Sequence, residues 1–247
     1  MKFTIITLLA VLLTTACQKE ITGSVNGLSS INIAYYKMDE SSETVVDSKN
    51  AHNSTSTTGI TYSATGKLNT ALSTTDVTGN GIDFGEINAF DLTTGSISLW
   101  VNFHTGAWLL SNMDNDNDRN GFSVLRSFST PNNFFTVMLA SGSAVQSVNS
   151  SAISLDTWYH LVVTWNGTTV QIYLNGTLDQ SVSQTVTPTY TTFPFRLFTT
   201  TGSEGVTKKA PMYGTLDEIG IFNAVLTSTQ VTTLYNSGTP LAFSSFD

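Results

Sequence analysis

Residues 157–176 read TWYHLVVTWNGTTVQIYLNG, and their pattern of apolar residues and turns indicates the class of fold. The segment 158–165 is mostly aromatic or β-branched, a composition that suits a half-buried β-strand. The dipeptide Asn166-Gly167 predicts a tight type I′ turn, because these residue types tolerate the positive φ values that such a turn requires. The chain then returns through 168–174 with apolar and polar residues alternating, and Asn175-Gly176 predicts a second turn. Consecutive hairpins of this kind indicate an antiparallel β protein.

The composition is that of one large β domain. The chain has 247 residues, of which 40% are hydrophobic and only 11% are charged, and it is long enough for a single β-sandwich. It is too apolar for a disordered chain. The formal net charge is −8 and the sequence has no basic run, so nucleic acid and anionic lipid surfaces are excluded as main partners.

Short apolar or alternating segments continue along the chain and predict further strands. These are residues 31–38, 60–63, 67–72, 80–84, 96–103, 108–111, 121–128, 133–140, 144–148, 193–199 and 212–222. One helix is predicted near the C-terminus, where Thr227 and Gln230 have the spacing of a capping box. Gly238 and Pro240 end its pattern. Neither a repeat nor an interior linker is visible, so residues 31–247 are interpreted as one domain.

The N-terminal segment has the pattern of an export signal. Lys2 precedes an apolar stretch over residues 3–13, which is too short to span a bilayer, and small residues then lead to Cys17. Cys17 is the only cysteine, so no disulfide can form within the chain. Residues 13–17, LTTAC, resemble the lipobox of bacterial lipoproteins, although that family prefers Leu where Thr14 stands.

This resemblance implies a signal peptide over residues 1–16, a lipid on Cys17 and a Gly/Ser-rich tether over residues 17–30. The alternative is a secretory peptide cleaved near Ala16, which would leave a free thiol. The Lys19-Glu20 pair is similar to the charged tract after the cysteine of surface-exported lipoproteins. We therefore expect an exported lipoprotein of the outer membrane or cell surface, in contact with the membrane only through its lipid anchor.

A series of short blocks resembles the laminin G-like domains of the concanavalin A-like lectin/glucanase superfamily, in the three-segment type common in bacterial surface proteins. The blocks are AYYKMDESSETVVDSKNAHN (34–53), GKLNTAL (66–72), GIDF (81–84), SISLWV (96–101), WYHLVVTW (158–165), IYLNG (172–176) and GTLDEIGIF (214–222). The resemblance implies an all-β fold, a two-sheet antiparallel jelly-roll sandwich, to which the sequence adds one short C-terminal helix.

The same superfamily includes glucanases and polysaccharide lyases, so a catalytic site is one hypothesis. Retaining glycoside hydrolysis needs two carboxyl groups about 5–5.5 Å apart. Asp83 and Glu86 lack the leading Glu of the laminarinase pattern Glu-x-Asp-x-x-Glu, and the adjacent Asp217 and Glu218 are expected on opposite faces of a strand. No Gly-x-Ser-x-Gly elbow is present either. The sequence therefore favours a protein that is not an enzyme.

The laminin G resemblance implies a structural Ca²⁺ ion between the 47–50 loop and the strand that carries Asp217. Its expected ligands are Asp39, Asp47, Asn50 and Asp217, which offer the carboxylate and amide oxygens that calcium prefers. The alternative is that Asp47 and Asn50 form side-chain-to-backbone turns, as these residue types do routinely.

Two other sets of residues of the types that bind metals are present, but neither set has the arrangement of a known metal site. Residues 114–118, DNDND, alternate acid and amide like a calcium loop, but the EF-hand glycine and closing glutamate are missing, so a solvated hairpin loop is expected. His52, His104 and His160 are scattered, and no cysteine joins them, so no transition-metal site is predicted.

Carbohydrate binding is the function that we favour, because the superfamily often binds glycans and lectin sites combine an aromatic platform with polar groups. The candidate platforms, which lie in or beside polar loops, are Trp108, Phe128, Tyr190 and Tyr213. Asp114 and Asp116 are candidate polar ligands, and packing is the alternative role for each aromatic residue. Trp100, Trp158 and Trp165 sit inside strong strands and are expected in the core.

We therefore expect a non-catalytic binding or adhesion module, with a glycan as the favoured ligand. The alternatives are a structural or protein-binding module of a surface assembly, and a glycanase or polysaccharide lyase.

Overall fold

The computed structural model describes residues 27–75, 77–113, 119–129, 131–202 and 207–246. The strands are β1 (Asn32–Tyr36), β2 (Ser56–Thr58), β3 (Ile60–Thr65), β4 (Thr70–Thr74), β5 (Gly81–Asp83), β6 (Gly95–Gly106), β7 (Trp108–Met113), β8 (Asn120–Ser129), β9 (Asn132–Ser141), β10 (Ala144–Asn149), β11 (Trp158–Trp165), β12 (Thr169–Leu174), β13 (Thr177–Ser183), β14 (Arg196–Leu197), β15 (Thr200–Thr201), β16 (Lys208–Lys209) and β17 (Met212–Phe222). The α-helices are α1 (Leu28–Ile31) and α2 (Ser228–Tyr235). Short 3₁₀ segments occur at Asn88–Phe90, Asn236–Gly238 and Phe243–Ser245. Within these ranges no helix has the length and apolar character needed to cross a membrane.

Two antiparallel sheets form the sandwich. The eight-stranded sheet has the order β13-β12-β11-β6-β17-β4-β3, and β1 pairs with the far end of β17. The seven-stranded sheet has the order β10-β9-β8-β7-β14-β5-β2. A separate ribbon consists of β15 and β16. The fold class predicted from the sequence is confirmed, including the short C-terminal helix.

The core lies between the two sheets, where strand residues facing inward alternate with residues facing outward. The inward residues of the two central strands are Ile97, Leu99, Val101 and Phe103 in β6 and Leu161, Val163 and Trp165 in β11. The indole N–H of Trp165 donates to the backbone carbonyl of Leu92 at 2.8 Å, so its polar group is satisfied inside the core. Burying each such side chain contributes about 1.5–3 kcal/mol, which is how the fold is held together without a disulfide.

The two turns of the central meander differ. Of the pair Asn166-Gly167, only Gly167 has a positive φ, at 82°, and Asn166 Oδ1 instead accepts hydrogen bonds from the N–H groups of Thr168 and Thr169. The type I′ prediction at Asn166 is therefore wrong, because its side chain closes a longer loop. Asn175 and Gly176 have φ values of 49° and 78° and join β12 directly to β13, so the type I′ geometry occurs there.

Helix α2 begins as predicted. Thr227 Oγ1 accepts a hydrogen bond from the Gln230 N–H, and Gln230 Oε1 accepts one from the Thr227 N–H, which completes the capping box. Val231 and Leu234 of α2 then pack on the outer side of the eight-stranded sheet, in a cluster that includes the outward Val162 of β11.

The folded domain begins earlier than the sequence predicts. Leu28 of α1 is fully buried in the same outer cluster as Val231 and Leu234. Residues 28–30, which the sequence assigns to the tether, are therefore part of the packed structure.

Strand β17 carries a β-bulge after Asp217. Its register to β6 shifts between Asp217 and Gly220, and Glu218 adopts a φ of 49°. Glu218 accepts a hydrogen bond from the hydroxyl of Tyr35, a residue of the outer cluster, so its carboxylate turns to the outer side. The expectation that Asp217 and Glu218 lie on opposite faces is therefore wrong, because the bulge interrupts the strand alternation.

Candidate functional site

Part of the outer side of the eight-stranded sheet remains accessible. Trp158 of β11, Asn102 of β6 and Thr215 of β17 stand directly opposite one another across three strands, and all three are half-buried. At about 4.8 Å between neighbouring strands, this row is about 10 Å wide. His104 and Tyr213 continue the same side beyond the row. These five residues, together with Asp156 in the loop before β11, are called the open face below.

Tyr213, His104 and Asp156 form a chain of contacts at one end of the open face. The rings of His104 and Tyr213 meet edge to face with their centroids 4.5 Å apart. His104 Nδ1 lies 2.6 Å from Asp156 Oδ1, and because a carboxylate can only accept, Nδ1–H is the donor. Tyr213 is 39% exposed, and the side chains of His104 and Asp156 are 48% and 66% exposed. A ligand can therefore reach all three residues.

The polar groups of the open face are available to a ligand. Among the described residues, none forms a hydrogen bond with the Asn102 amide, the Thr215 hydroxyl or the Tyr213 hydroxyl. Such groups both donate and accept, which is the polar chemistry that sugar hydroxyls require. The rings of Tyr213 and Trp158 add apolar area on either side of them.

The next row along the strands is closed by packing. Tyr235, at the end of α2, stacks over Trp100 and His160 with centroid distances of 5.7 Å and 5.9 Å. His160 Nε2 lies 2.9 Å from the Ser98 hydroxyl, and Nδ1 is buried without a described partner. Burial lowers the pKa of His160 to about 3, so the imidazole is neutral at pH 7. Tyr235 therefore ends the open face on this side.

Of the predicted aromatic platforms, Tyr213 lies on the open face. Trp108 begins β7, is only 5% exposed and packs in a cluster with Met113 and Met138. The hydroxyl of Tyr190 donates to the Leu92 carbonyl at 2.6 Å, and its ring is packed against the core. Trp108 and Tyr190 therefore have the alternative role, which is packing within the fold rather than contact with a ligand.

Several predicted residues lie outside the part of the chain that the structure describes. These are Cys17, Asp114, Asp116 and the side chain of Phe128.

The expectation that Trp158 lies in the core is wrong. In β11 the inward residues are Leu161, Val163 and Trp165, so strand alternation turns Trp158 and His160 outward. Trp158 stands at the start of the strand, beyond the cover of Tyr235, and is half-buried. The alternation of inward and outward residues along β11 can be read from the sequence, and it places Trp158 on the outer side. Hydrophobicity alone predicts instead that every tryptophan within a strand lies in the core. Trp165 lies in the core, as expected. Trp100 is also buried, but on the outer side of the sheet beneath Tyr235.

The four predicted calcium ligands do not converge. Asp47 is fully buried, and its two oxygens accept hydrogen bonds from four backbone N–H groups. These groups belong to Tyr35, Lys49, Ala51 and His52. Asn50 is exposed in the same turn, with a φ of 58°. The assignment of Asp47 and Asn50 as ligands is therefore corrected to the side-chain-to-backbone turn, because the Asp47 carboxylate has no acceptor site left.

Asp39 and Asp217 meet at the turn before β4. Asp39 Oδ1 accepts from the N–H of Thr70 at 3.0 Å, and Asp217 Oδ2 accepts from the N–H groups of Lys67 and Leu68 at 2.7 Å and 3.0 Å. Asp217 Oδ1 is buried without a described hydrogen-bond partner. However, the described residues contain no group of three or more His, Cys, Asp or Glu placed to hold a metal ion. The predicted ligand set does not fit a calcium site in this arrangement.

Asp217 and Glu218 are two acids in a poorly solvated position. Burial raises the pKa of Asp217 to about 8, the charge of Glu218 adds to this, and the Leu68 and Lys67 N–H groups oppose it. Burial also raises the pKa of Glu218 to about 7, against the effect of the Tyr35 hydroxyl. Asp217 is 0% exposed and Glu218 is 3% exposed, so neither carboxyl group reaches the open face.

Asp83, the other carboxyl group considered for catalysis, is engaged in the fold. Its Oδ2 accepts from Arg196 Nε at 2.8 Å, and its Oδ1 accepts from the Gly85 N–H at 2.8 Å. Arg196 is buried, so this ion pair supports the pairing of β5 with β14.

Two clefts lie away from the open face. The first, of about 390 Å³, runs beside Lys37, Glu40 and Phe243 and adjoins a cavity of about 70 Å³ next to Glu218. The second, of about 480 Å³, is an open depression beside His52 and Glu86. Each cleft has one aromatic ring at its edge, and a second ring packs against it. In the first cleft Phe243 stacks on Tyr35, and in the second the ring of His52 contacts Phe90 edge-on. Neither cleft has the paired accessible rings of the open face.

The fold is an all-β sandwich whose eight-stranded sheet leaves part of its outer side accessible. Residues 76–232 match the laminin G-type family of the Concanavalin A-like lectin/glucanases superfamily. This match covers more than half of the chain, so the protein belongs to that superfamily. A search among curated proteins found no match.

Solved structures share the fold at low sequence identity. Domain 4 of AbnA, a GH43 extracellular arabinanase from Geobacillus stearothermophilus solved with arabinotriose, is 22% identical over 83% of this chain and 98% of that one, with a TM-score of 0.63. The binding domain of Paraclostridial Mosquitocidal Protein 1 is 17% identical over 85% and 53%, with a TM-score of 0.66. A structure of botulinum neurotoxin type C, whose cell entry depends on two ganglioside molecules, is 14% identical over 86% and 52%, with a TM-score of 0.61. The chain thus spans about half of the last two structures, and these likenesses concern the fold.

Proposed function

We propose that this protein is a non-catalytic carbohydrate-binding module of the cell surface, and that the open face is its glycan-binding site. The observation that carries the proposal is the presence of two accessible rings, Tyr213 and Trp158, beside the unengaged polar groups of Asn102 and Thr215. Sugar rings present C–H faces that pack on aromatic residues and hydroxyls that need hydrogen bonds, so a glycan site must supply both.

The spacing of the two rings favours an oligosaccharide over a single sugar. Trp158 lies on β11 and Tyr213 on β17, with β6 between them. Two strand intervals of about 4.8 Å separate the strands, so a ligand that contacts both rings crosses about 10 Å of sheet.

Structures with the same fold support a glycan as the ligand. The AbnA domain was solved with arabinotriose, and the neurotoxin structure concerns ganglioside recognition. These ligands belong to those proteins, and the proposal for this chain rests on its own open face.

Affinity electrophoresis of the full chain against plant, algal and host polysaccharides tests the proposal. We expect retardation by at least one polysaccharide, and we expect Tyr213→Ala to weaken that binding about tenfold, as loss of about 1.4 kcal/mol of ring contact would. The matched control is Leu178→Ala, because Leu178 is also an exposed apolar residue but lies on the edge strand β13. Absence of retardation across the panel would overturn the proposal and favour a protein partner.

The absence of catalysis is part of the proposal. The burial of Asp217 and Glu218 supports it, because a sugar on the open face cannot contact either carboxyl group. We expect no new reducing ends and no unsaturated products when the bound polysaccharide is incubated with the protein. If the natural protein forms such products and the Asp217→Asn variant does not, the proposal that the protein is not catalytic is wrong.

We further propose that a lipid on Cys17 holds the module at the outer membrane or cell surface. The support is the apolar stretch over residues 3–13 followed by the single cysteine. Cys17→Ser should move the protein from the membrane fraction to the soluble fraction, and an unchanged distribution would refute the anchor.

A structural calcium ion stays a prediction of the family resemblance. The meeting of Asp39 and Asp217 near Glu218 supports an oxygen-rich position, whereas the saturated Asp47 does not belong to it. If EDTA leaves the melting temperature unchanged, the prediction of a structural calcium ion is wrong.

A further inference from the structure

Asp156 places a negative charge beside the accessible ring of the open face. Its Oδ1 accepts from His104, which in turn contacts the ring of Tyr213. Its Oδ2 has no described hydrogen-bond partner and is free to accept. Building on the glycan-binding function proposed above, we propose that Asp156 makes the open face selective for uncharged glycans, by accepting hydrogen bonds from sugar hydroxyls and repelling sugars that carry a carboxylate.

The position of Asp156 is held by the backbone. Its N–H donates to the Phe103 carbonyl at 2.8 Å, which ties the loop before β11 to the end of β6. Asp156 adopts a φ of 57°, a left-handed conformation that Asp and Asn tolerate better than most residues. The carboxylate is therefore presented at a fixed place rather than on a loose loop.

The described cations near this end of the open face do not compensate the charge. Within the described chain, the ion-pair partner of Asp156 is the imidazole of His104. Arg126 lies over the ring of Phe103, which faces the core, and donates to Gly106 O and Asn133 Oδ1. Arg126 therefore stands on the inner side of β6.

Lys67 is a cation on the outer side of the same sheet. Its Nζ lies 5.0 Å from the ring centroid of Trp100, in the row that Tyr235 closes. The carboxyl group of Asp217, which the Lys67 N–H contacts, lies in the same row. The charge of Lys67 is thus placed over Trp100, at the covered margin of the open face.

A sugar stacked on Tyr213 would meet Asp156 directly. A hydroxyl can donate to the free carboxylate oxygen in a charge-assisted hydrogen bond, which is stronger than a neutral one. A sugar carboxylate at the same place has no proton to donate and a charge of the same sign. Selectivity of this kind arises as much from rejection of the wrong ligand as from attraction of the right one.

The test compares matched glycans that differ in charge. The probes are oligogalacturonate and its methyl ester, and 3′-sialyllactose and its methyl ester, titrated calorimetrically against the full chain at pH 8 in about 20 mM salt, where screening is weak. We expect the uncharged member of a bound pair to bind at least about tenfold more tightly. In Asp156→Asn, we expect this ratio to fall to within about threefold, because the amide oxygen still accepts from His104 while the charge is gone.

Two controls separate charge at this position from other effects. Asn tolerates the left-handed backbone, so Asp156→Asn should melt within a few degrees of the natural protein. Glu43→Gln removes the same charge from an exposed side chain outside the open face, and should leave the affinity ratio unchanged.

Each result has a definite meaning. Tighter binding of the charged member, or a ratio that Asp156→Asn leaves unchanged, would overturn the selectivity inference while leaving glycan binding intact. No binding of any glycan in these pairs or in the polysaccharide panel would overturn the glycan-binding function and this inference with it.

Discussion

His160 is held between Trp100 and Tyr235 on the outer side of the eight-stranded sheet, where its imidazole stays neutral. Burial lowers its pKa to about 3, whereas an unfolded histidine takes up a proton near pH 6.5. Between pH 3 and pH 6.5 the folded state therefore binds fewer protons than the unfolded state. The contribution of the neutral His160 to the free energy of unfolding is complete above pH 6.5 and is lost as the pH falls towards 3.

His160→Gln should remove this pH dependence. The natural protein should lose up to about 1.4 kcal/mol of unfolding free energy per pH unit below 6.5 relative to the variant, measured by urea denaturation between pH 5 and 8. His104→Gln is the matched control, because its side chain is 48% exposed. Parallel stability profiles for the natural protein and His160→Gln would contradict the burial of a neutral ring.

Asp217 predicts the opposite trend. Its pKa of about 8 lies above the value of about 3.9 in an unfolded chain, so its contribution to stability is complete below pH 4 and is lost as the pH rises towards 8. Asp217→Asn keeps an oxygen for the Lys67 and Leu68 N–H groups but removes the titration. The variant should gain up to about 1.4 kcal/mol per pH unit on the natural protein between pH 5 and 8 in EDTA, measured by urea denaturation.

Asp156→Asn is the control for this experiment, because the side chain of Asp156 is 66% exposed. A stability difference between Asp217→Asn and the natural protein that stays constant across the same pH range would show that Asp217 is not a protonated buried acid.

The glycines of the two hairpin turns differ in the atoms that surround them. Gly167 and Gly176 have φ values of 82° and 78°, but a Cβ on Gly167 would meet nothing within 4 Å. A Cβ on Gly176 would lie 2.8 Å from Tyr235 Cδ1, in the ring that covers Trp100 and His160. The turn between β12 and β13 is therefore fitted against the end of α2.

This contrast predicts different effects for one substitution. Gly167→Ala should lower the free energy of unfolding by about 1–2 kcal/mol, the strain of a left-handed alanine. Gly176→Ala should lose a further ~1–3 kcal/mol through overpacking against Tyr235. Urea denaturation of both variants measures the difference, and equal losses would contradict the packing of the second turn against the helix.

At the scale of elements, the sequence predicts the strands that carry the core and misses those that do not. Strands β11 and β17 have the predicted bounds, because their aromatic and β-branched residues identify a pleated surface. Strand β13 escaped prediction, since no buried residue occurs along its length to create an alternating pattern. Strand β14 is the paired part of the predicted segment 193–199, whereas β15 and β16 have only two residues each and are defined by their partners.

For the whole molecule, the fold class follows from the sequence more readily than the site does. The predicted platform Tyr213 is exposed, but its companions Trp158, His104 and Asp156 come from different parts of the chain and meet only when β11, β6 and β17 pair. The bulge that turns Glu218 outward is likewise invisible to strand alternation, because it depends on a single residue with a positive φ. Local pattern predicts elements, whereas register and bulges decide which side chains share a surface.

Glycan binding on the open face should be visible in the indole N–H signals of the tryptophans. The chain has four tryptophans, of which Trp100, Trp108 and Trp165 are buried and Trp158 is half-buried on the open face. In a heteronuclear NMR titration with the tightest-binding oligosaccharide, the Trp158 indole signal should shift in proportion to saturation while the other three stay in place. A saturated complex in which Trp158 does not move, or in which a buried tryptophan moves instead, would contradict glycan binding on the open face.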